Sequence, residues 1–548
     1  MRRAPILAAL AVSLGLSARA RAQTDAGVQQ PEPQPQATQA PAPPPPPQVQ
    51  PREHAPIVDV MTLRIMRQKG ILTEAEYRAA RGDLAETIGD ERADESVNVV
   101  VGKWSATVYG FLESDFILDS TQSFNDLAGN ALVQRPIGAP QPAGPPVSQY
   151  AGSNARLQFS IRNTRFGLRL RAPELHGIRA SGTLEMDFLG GSSAPASGEA
   201  AFFNSPTLRL RHAYLKVETP IVDVLAGQTW HLFGWQPCYF PNTVEIQGVP
   251  GQLYDRVAQV RLSHRFVAGP TSFEIAAAAL RPPTRDGGMP DLAGGLRFAV
   301  DKWRGLQTTG AASTDLAPLS IAVTGDYRNF RLPVFQSLPT DSVDLSTGAI
   351  AVDAFIPIVP ATPHRRGNAL SISGEFVYGG GISDMYTGLT GGVTMPSFVN
   401  STGIANAPSY QQTVDNGMVV FDNCPKTYAP GATSCNDLHA IVWMTAIGGI
   451  QYYLPGVNGR IWISANYAHT ESPNIQDFTT TSAPNALAST YAQQANVRKS
   501  EDWADGNLFL EPHPSVRIGL EYAIFIDHYV DGVTATNHRG QVSGFFLF

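Results

Sequence analysis

Trp104-Ser105-Ala106-Thr107-Val108-Tyr109-Gly110-Phe111-Leu112-Glu113-Ser114-Asp115-Phe116 alternates: Trp104, Ala106, Val108, Gly110, Leu112 and Phe116 fall on one side, Ser105, Thr107, Glu113 and Asp115 on the other. Period two belongs to an extended chain, whose successive side chains point to opposite faces. An ordinary strand runs about five or six residues, whereas a tilted strand needs roughly ten to cross a bilayer, and this stretch is of the second kind. The rhythm recurs downstream. Residues 178–188 set Ala180, Leu184, Met186 and Phe188 against Arg179, Thr183, Glu185 and Asp187, and residues 258–266 put Arg261 and Arg265 on the polar face. Further segments follow at 156–171, 208–218, 221–231, 316–331, 369–381, 440–454, 459–469, 515–528 and 539–548.

Between residues 103 and 548 the pattern predicts about 16 strands, a number that encloses an aqueous lumen when the sheet closes. No window after the N-terminus holds the roughly 20 apolar residues a membrane helix requires; Phe273–Leu280 is among the longest candidates. The expected fold is therefore all-β, a transmembrane antiparallel β-barrel of about 16 strands preceded by a short helical, periplasmic N-terminal segment. Gly at 50, Tyr and Phe together at 42, and three Cys suit many short strands and turns in an exported chain. The last stretch, Gln541-Val542-Ser543-Gly544-Phe545-Phe546-Leu547-Phe548, ends on an aromatic residue, the form in which a final barrel strand is offered to the barrel assembly machinery.

Ahead of the barrel the sequence divides into three. Arg2 and Arg3, an apolar run from Ile6 to Leu16 and small residues up to Ala20-Arg21-Ala22 read as a signal peptide over 1–22, cut before Gln23 or two residues earlier. Residues 23–56 are a Pro-rich linker with ten prolines between Pro31 and Pro51, extended as polyproline II or disordered; it is either a spacer that touches peptidoglycan or an unselected tether. Over 57–98, Met61, Ile65 and Met66 lie at helical spacing and Thr73-Glu74-Ala75-Glu76 caps a second helix carrying Tyr77, Leu84 and Ile88. Helices this short cannot bury such stripes alone, so they predict packing between protomers or against the barrel.

The net charge of −7 argues against nucleic acid as a partner. Of the 40 basic residues 34 are arginine, and guanidinium forks bind carboxylates and phosphates in bidentate fashion. Residues 156–265 carry eleven arginines and Lys216 against eight carboxylates, a local excess of four positive charges. Arg162, Arg165, Arg169, Arg171, Arg209, Arg211 and Arg261 alternate with Leu and Phe. The apolar set switches from odd to even numbers at Asn163-Thr164, which calls for a turn or bulge there. The first six of these facing lipid would cost about 2 to 4 kcal/mol each at the midplane, so they, and Arg261 with them, are expected to line the lumen. They form either a ladder for anions or ion pairs with Glu185, Asp187 and their neighbours.

After the fifth strand, Phe233 to Asp255 reads FGWQPCYFPNTVEIQGVPGQLYD. Trp235, Tyr239, Phe240, Glu245 and Tyr254 are candidates for a loop that folds inward and narrows the channel; the alternative is an ordinary external loop. Cys424 and Cys435 lie close together in one insert and are expected to form a disulfide, leaving Cys238 free. The sequence holds no GxSxG elbow, HExxH or phosphate-binding loop, and predicts no catalytic residue, metal or cofactor.

Val108-Tyr109-Gly110-Phe111, Asn163-Thr164-Arg165-Phe166-Gly167, the run LRLRHAY from Leu208 to Tyr214 and Ala226-Gly227-Gln228-Thr229-Trp230 resemble the DcaP-like porins of proteobacterial outer membranes, most clearly over residues 104–270. The resemblance implies a trimer of 16-stranded barrels with helical periplasmic segments and passage of small organic anions such as dicarboxylates. The Pro-rich spacer and the long insert between Met385 and His439 depart from it. The expected function is an outer-membrane porin for small anionic solutes, embedded in outer-membrane lipid as a homotrimer. The competing expectation is an adhesive barrel tied to the cell wall by its Pro-rich arm.

Overall fold

The computed structural model describes residues 97–101, 104–124, 133–138, 150–190, 207–245, 248–283, 287–309, 313–333, 341–362, 364–387, 389, 418–421, 438–478 and 498–548. Twenty strands lie among them: β1 Val97–Val101, β2 Trp104–Asp119, β3 Arg156–Ser160, β4 Arg165–Arg171, β5 Arg179–Gly190, β6 Thr207–Glu218, β7 Asp223–Trp230, β8 Arg256–Ala268, β9 Thr271–Leu280, β10 Asp291–Thr309, β11 Ser313–Pro333, β12 Ser342–Val359, β13 Leu370–Gly380, β14 Val419–Phe421, β15 Leu438–Ala440, β16 Val442–Tyr453, β17 Ile461–Glu471, β18 Arg498–His513, β19 Val516–Tyr529 and β20 Thr534–Leu547.

From β2 onward neighbours in sequence pair antiparallel, with β13 passing to β16, and β20 returns to β2 in the register Phe111↔Leu547 to Asp119↔Arg539. β3 and β4 are two lengths of one wall strand laid along β2, as Asp119↔Arg156 and Phe111↔Arg165 show. The sheet is thus a closed barrel of 16 strands. The turn demanded by the parity switch is present: pairing stops at Ser160, resumes at Arg165, and the Thr164 amide closes a turn onto the Ile161 carbonyl. β1 folds back on the start of β2, Val101 opposite Trp104, so Val97 and Asn98 are extended rather than part of the helical segment expected over 57–98. The rest of that segment, the signal peptide, the Pro-rich stretch, Cys424 and Cys435 lie outside the described residues.

Connections alternate in length. At the end where β20 finishes they are short, as at Gly269-Pro270 and Pro514-Ser515, whereas the other end carries the 36 residues between β2 and β3 and the insert between β13 and β16. This is the asymmetry of membrane barrels. Outward positions form an apolar belt: Leu112, Phe116, Leu157, Phe159, Leu210, Phe273, Ile275, Phe298, Ile321, Ile350, Phe376 and Ile463 are all exposed. A belt this continuous is covered by lipid or another protomer. Their strand neighbours turn inward, where polar groups are paired: Arg539 grips Asp119 through two 2.9 Å contacts, and Arg328 bridges Asp291 and Asp384.

Candidate site: an arginine-lined cavity beneath an inward loop

Residues 231–245 and 248–255, between β7 and β8, cross the lumen. The first leg rests on a patch of inner wall stripped to small side chains, Ala276 and Ala278 on β9, Ala293 and Gly295 on β10, Ala322 on β11. Trp235 and Tyr239 fill that relief: a Cβ on Gly295 would come within 2.5 Å of the Trp235 ring, and the Tyr239 hydroxyl donates to Ser320 Oγ at 3.1 Å and accepts from Arg297 Nε at 3.3 Å. The tip is fixed to the opposite wall. Trp462 Nε1 donates to Asn242 Oδ1 at 2.9 Å, the Val244 amide to Asn507 Oδ1 at 3.0 Å, and the Glu245 amide and Thr243 hydroxyl both to Glu521 Oε2 at 3.0 Å. On the return leg the Tyr254 amide donates to the Met385 carbonyl at 2.8 Å, and Leu253 bridges Tyr386, so the stem of the long insert docks on the loop. A chain spanning the lumen with its amides satisfied by the walls is held in place rather than fluctuating.

Between this loop and the short-turn end lies a cavity of about 910 Å³. Six arginines line it, Arg165, Arg169, Arg211, Arg366, Arg460 and Arg517, against four carboxylates, Glu185, Glu245, Asp315 and Glu511. On the near wall β4 sends Arg165 and Arg169 inward at alternate positions, with Phe166, Leu168 and Leu170 facing out. Along β6 the register slips between Glu185↔His212 and Met186↔Leu210, so a bulge turns both Arg211 and His212 toward the lumen.

Arg211 is buried and ties two carboxylates together, Nε to Glu185 Oε1 at 2.7 Å and Nη1 to Asp187 Oδ2 at 2.9 Å. Arg209 closes a fork on Asp187 at 3.0 and 2.7 Å, and Arg165 stands 3.5 Å from Glu185. Arg169 has no carboxylate partner among the described residues; its guanidinium lies 4.9 Å from the Tyr109 ring centroid. Arg256, at the start of β8, stacks on Trp230 at 4.7 Å and Tyr254 at 5.1 Å. The network therefore holds two carboxylates among five arginines, leaving a surplus of fixed positive charge. Tyr254, carried in by the loop, registers it: burial opposes ionisation of its hydroxyl, yet Arg211, Arg165 and Arg256 bring it down to about 8.

Of the seven arginines expected to line the channel, Arg165, Arg169 and Arg211 face the cavity. Arg162 instead donates to the Phe188 and Gly190 carbonyls at 3.3 and 3.0 Å from the break between β3 and β4. Arg171 is exposed at the end of β4, Arg209 is committed to Asp187, and Arg261 bonds Gln259 Oε1 and the Trp230 carbonyl. These four do not line the cavity. Among the loop candidates Phe240, Glu245 and Tyr254 face it, while Trp235 and Tyr239 anchor the loop. Cys238 carries a free thiol. The cavity also includes residues that strand periodicity did not select: Arg366 and Arg460 in turns, Arg517 on β19, and His212 at the bulge.

No known family model matches the sequence, and neither does any curated protein. Among solved structures, the outer-membrane channel DcaP of Acinetobacter baumannii is 17% identical and superposes with a TM-score of 0.53 over 82% of this chain and 99% of that one. An anion-selective porin from Comamonas acidovorans is 10% identical over 81% of this chain and 100% of that one, with a TM-score of 0.42. At such identities the likeness to DcaP is one of fold: a closed β-barrel spanning four fifths of the chain.

Proposed function

We propose that this chain is an outer-membrane porin through which small hydrophilic, mainly anionic solutes, dicarboxylates among them, diffuse passively. The supporting observation is the cavity beside the inward loop, where six arginines outnumber four carboxylates and Arg169 has no anionic partner among the described residues. Fixed guanidinium groups raise the local anion concentration and replace part of a solute's hydration shell, and passage down a gradient needs no energy source. The apolar belt suits insertion in lipid, and the amphipathic stripes read between residues 57 and 94 suit a homotrimer.

The full-length protein, reconstituted in a planar bilayer with a salt gradient, tests the reading. Ohmic single channels with a zero-current potential of the sign for anion preference are expected. A barrel that does not conduct would favour the adhesive role, and one that prefers cations would remove the assignment to the arginines.

A further inference from the structure

The far wall of the cavity has a charge arrangement of its own. Arg366 sits in the turn between β12 and β13, and Arg460 in the turn between β16 and β17. The two turns are clasped. Asn458, held in the left-handed region at φ 50°, accepts the Arg366 and Gly367 amides on Oδ1 at 3.1 and 3.3 Å, and its Nδ2 donates to the His364 carbonyl at 3.4 Å. The contact leaves no room for larger residues: a Cβ on Gly367 would meet Pro455 Cα at 2.9 Å, and one on Gly459 would meet Arg366 Cβ at 2.9 Å. Arg517 reaches the same place from β19, with its guanidinium 4.9 Å from the Trp462 ring centroid and Nη2 on Thr314 Oγ1 at 3.2 Å.

Glu511 serves two members of this group. It gives Oε1 to Arg517 at 2.5 Å and Oε2 to Arg366 at 3.3 Å. Arg366 Nε is buried without a hydrogen-bond partner, and the Arg460 side chain, exposed toward the short-turn end, has no carboxylate partner among the described residues. A buried guanidinium N–H left unmatched is costly, and the missing partner is an acceptor.

We propose that Arg366, Arg460 and Arg517 form a second anion station at the short-turn mouth, taking small carboxylate solutes on their way to or from Arg165, Arg169 and Arg211. This rests on the anion-porin reading. In the near-wall group Arg211 and Arg165 face Glu185 beneath the inward loop, whereas Arg366 and Arg460 sit at the mouth on the clasped turns, with Arg517 behind them on β19. A solute entering from that side meets Arg460 first. Two stations in one cavity permit the hand-over that fast conduction requires, with each site binding weakly enough to release.

Succinate added to one side of the reconstituted full-length channel reports entry from that side as brief current interruptions. Arg460→Gln removes a charge that holds no described structure in place, and it should lower the association rate roughly two- to tenfold from one side only. Dwell times should change little. Arg169→Gln, on the near wall, should instead shorten dwell times whichever side succinate enters. Equal effects of Arg460→Gln from both sides, or no effect, in a pore that still prefers anions would overturn the second station alone. A wild-type pore preferring cations would overturn the underlying porin reading together with it.

Discussion

Replacing Arg169 by Gln removes a guanidinium that carries no described ion pair, so the barrel should fold unchanged while the cavity loses one charge. The lining holds six arginines and four carboxylates, a surplus of two positive charges in about 910 Å³. Two charges in that volume amount to a fixed concentration of about 4 M, well above the mobile salt in a bilayer experiment. In about 1 M salt an ideal Donnan balance then enriches anions over cations about 15-fold, and about 5-fold once one charge is gone. The zero-current potential across a tenfold gradient should accordingly fall by about a third for Arg169→Gln and approach zero for Arg169→Gln combined with Arg460→Gln. Arg179→Gln is the control, because that side chain is exposed at the start of β5, 3.5 Å from Glu218. If Arg169→Gln leaves the potential where it was, or Arg179→Gln moves it as far, the cavity charge does not set selectivity.

Three further outcomes are expected. Gly295→Val drives a side chain into the seat of Trp235, where a Cβ alone would be 2.5 Å from the ring; overpacking costs about 1 to 3 kcal/mol, and single-channel recordings should show a noisier, larger conductance with the barrel still heat-modifiable on a gel. Raising pH through about 8 should ionise Tyr254, adding a negative charge among Arg211, Arg165 and Arg256, so anion preference should decline between pH 7 and pH 9 in the wild type and stay level in Tyr254→Phe. Deleting residues 57–94 should dissociate the oligomer in mild detergent while leaving each barrel intact; an unchanged assembly would place the protomer contact on the barrel walls alone.

The barrel was legible because period two leaves little freedom. Slipping a strand such as Phe166-Gly167-Leu168-Arg169-Leu170 by one residue would put Arg169 in lipid and Leu168 in the lumen, so facing follows from the alternation itself. The parity switch at Asn163-Thr164 announced a turn for the same reason, and the turn is there. Strand ends were less well marked: the final strand starts at Thr534 rather than 539, since Thr534, Thr536 and His538 do not read as lipid-facing until their place at the rim of the barrel is known.

The site was legible only where it lies on regular strands. Arg165 and Arg169 obey the alternation, but at the Arg211-His212 bulge two consecutive side chains point the same way, which no period-two reading allows. Arg162 stands in the break, where periodicity says nothing, and it donates to the Phe188 and Gly190 carbonyls. Arg366 and Arg460 lie in turns 94 residues apart that Asn458 brings together. One signal was available and unused. Five inward positions of β9 to β11 are Ala276, Ala278, Ala293, Gly295 and Ala322, far smaller than an aqueous wall requires. Small side chains facing a lumen leave a recess, and Trp235 and Tyr239 on a neighbouring loop are large enough to fill it. Small inward residues on consecutive strands beside an aromatic-rich loop therefore predict that the loop folds inward, and they identify the wall on which it lands.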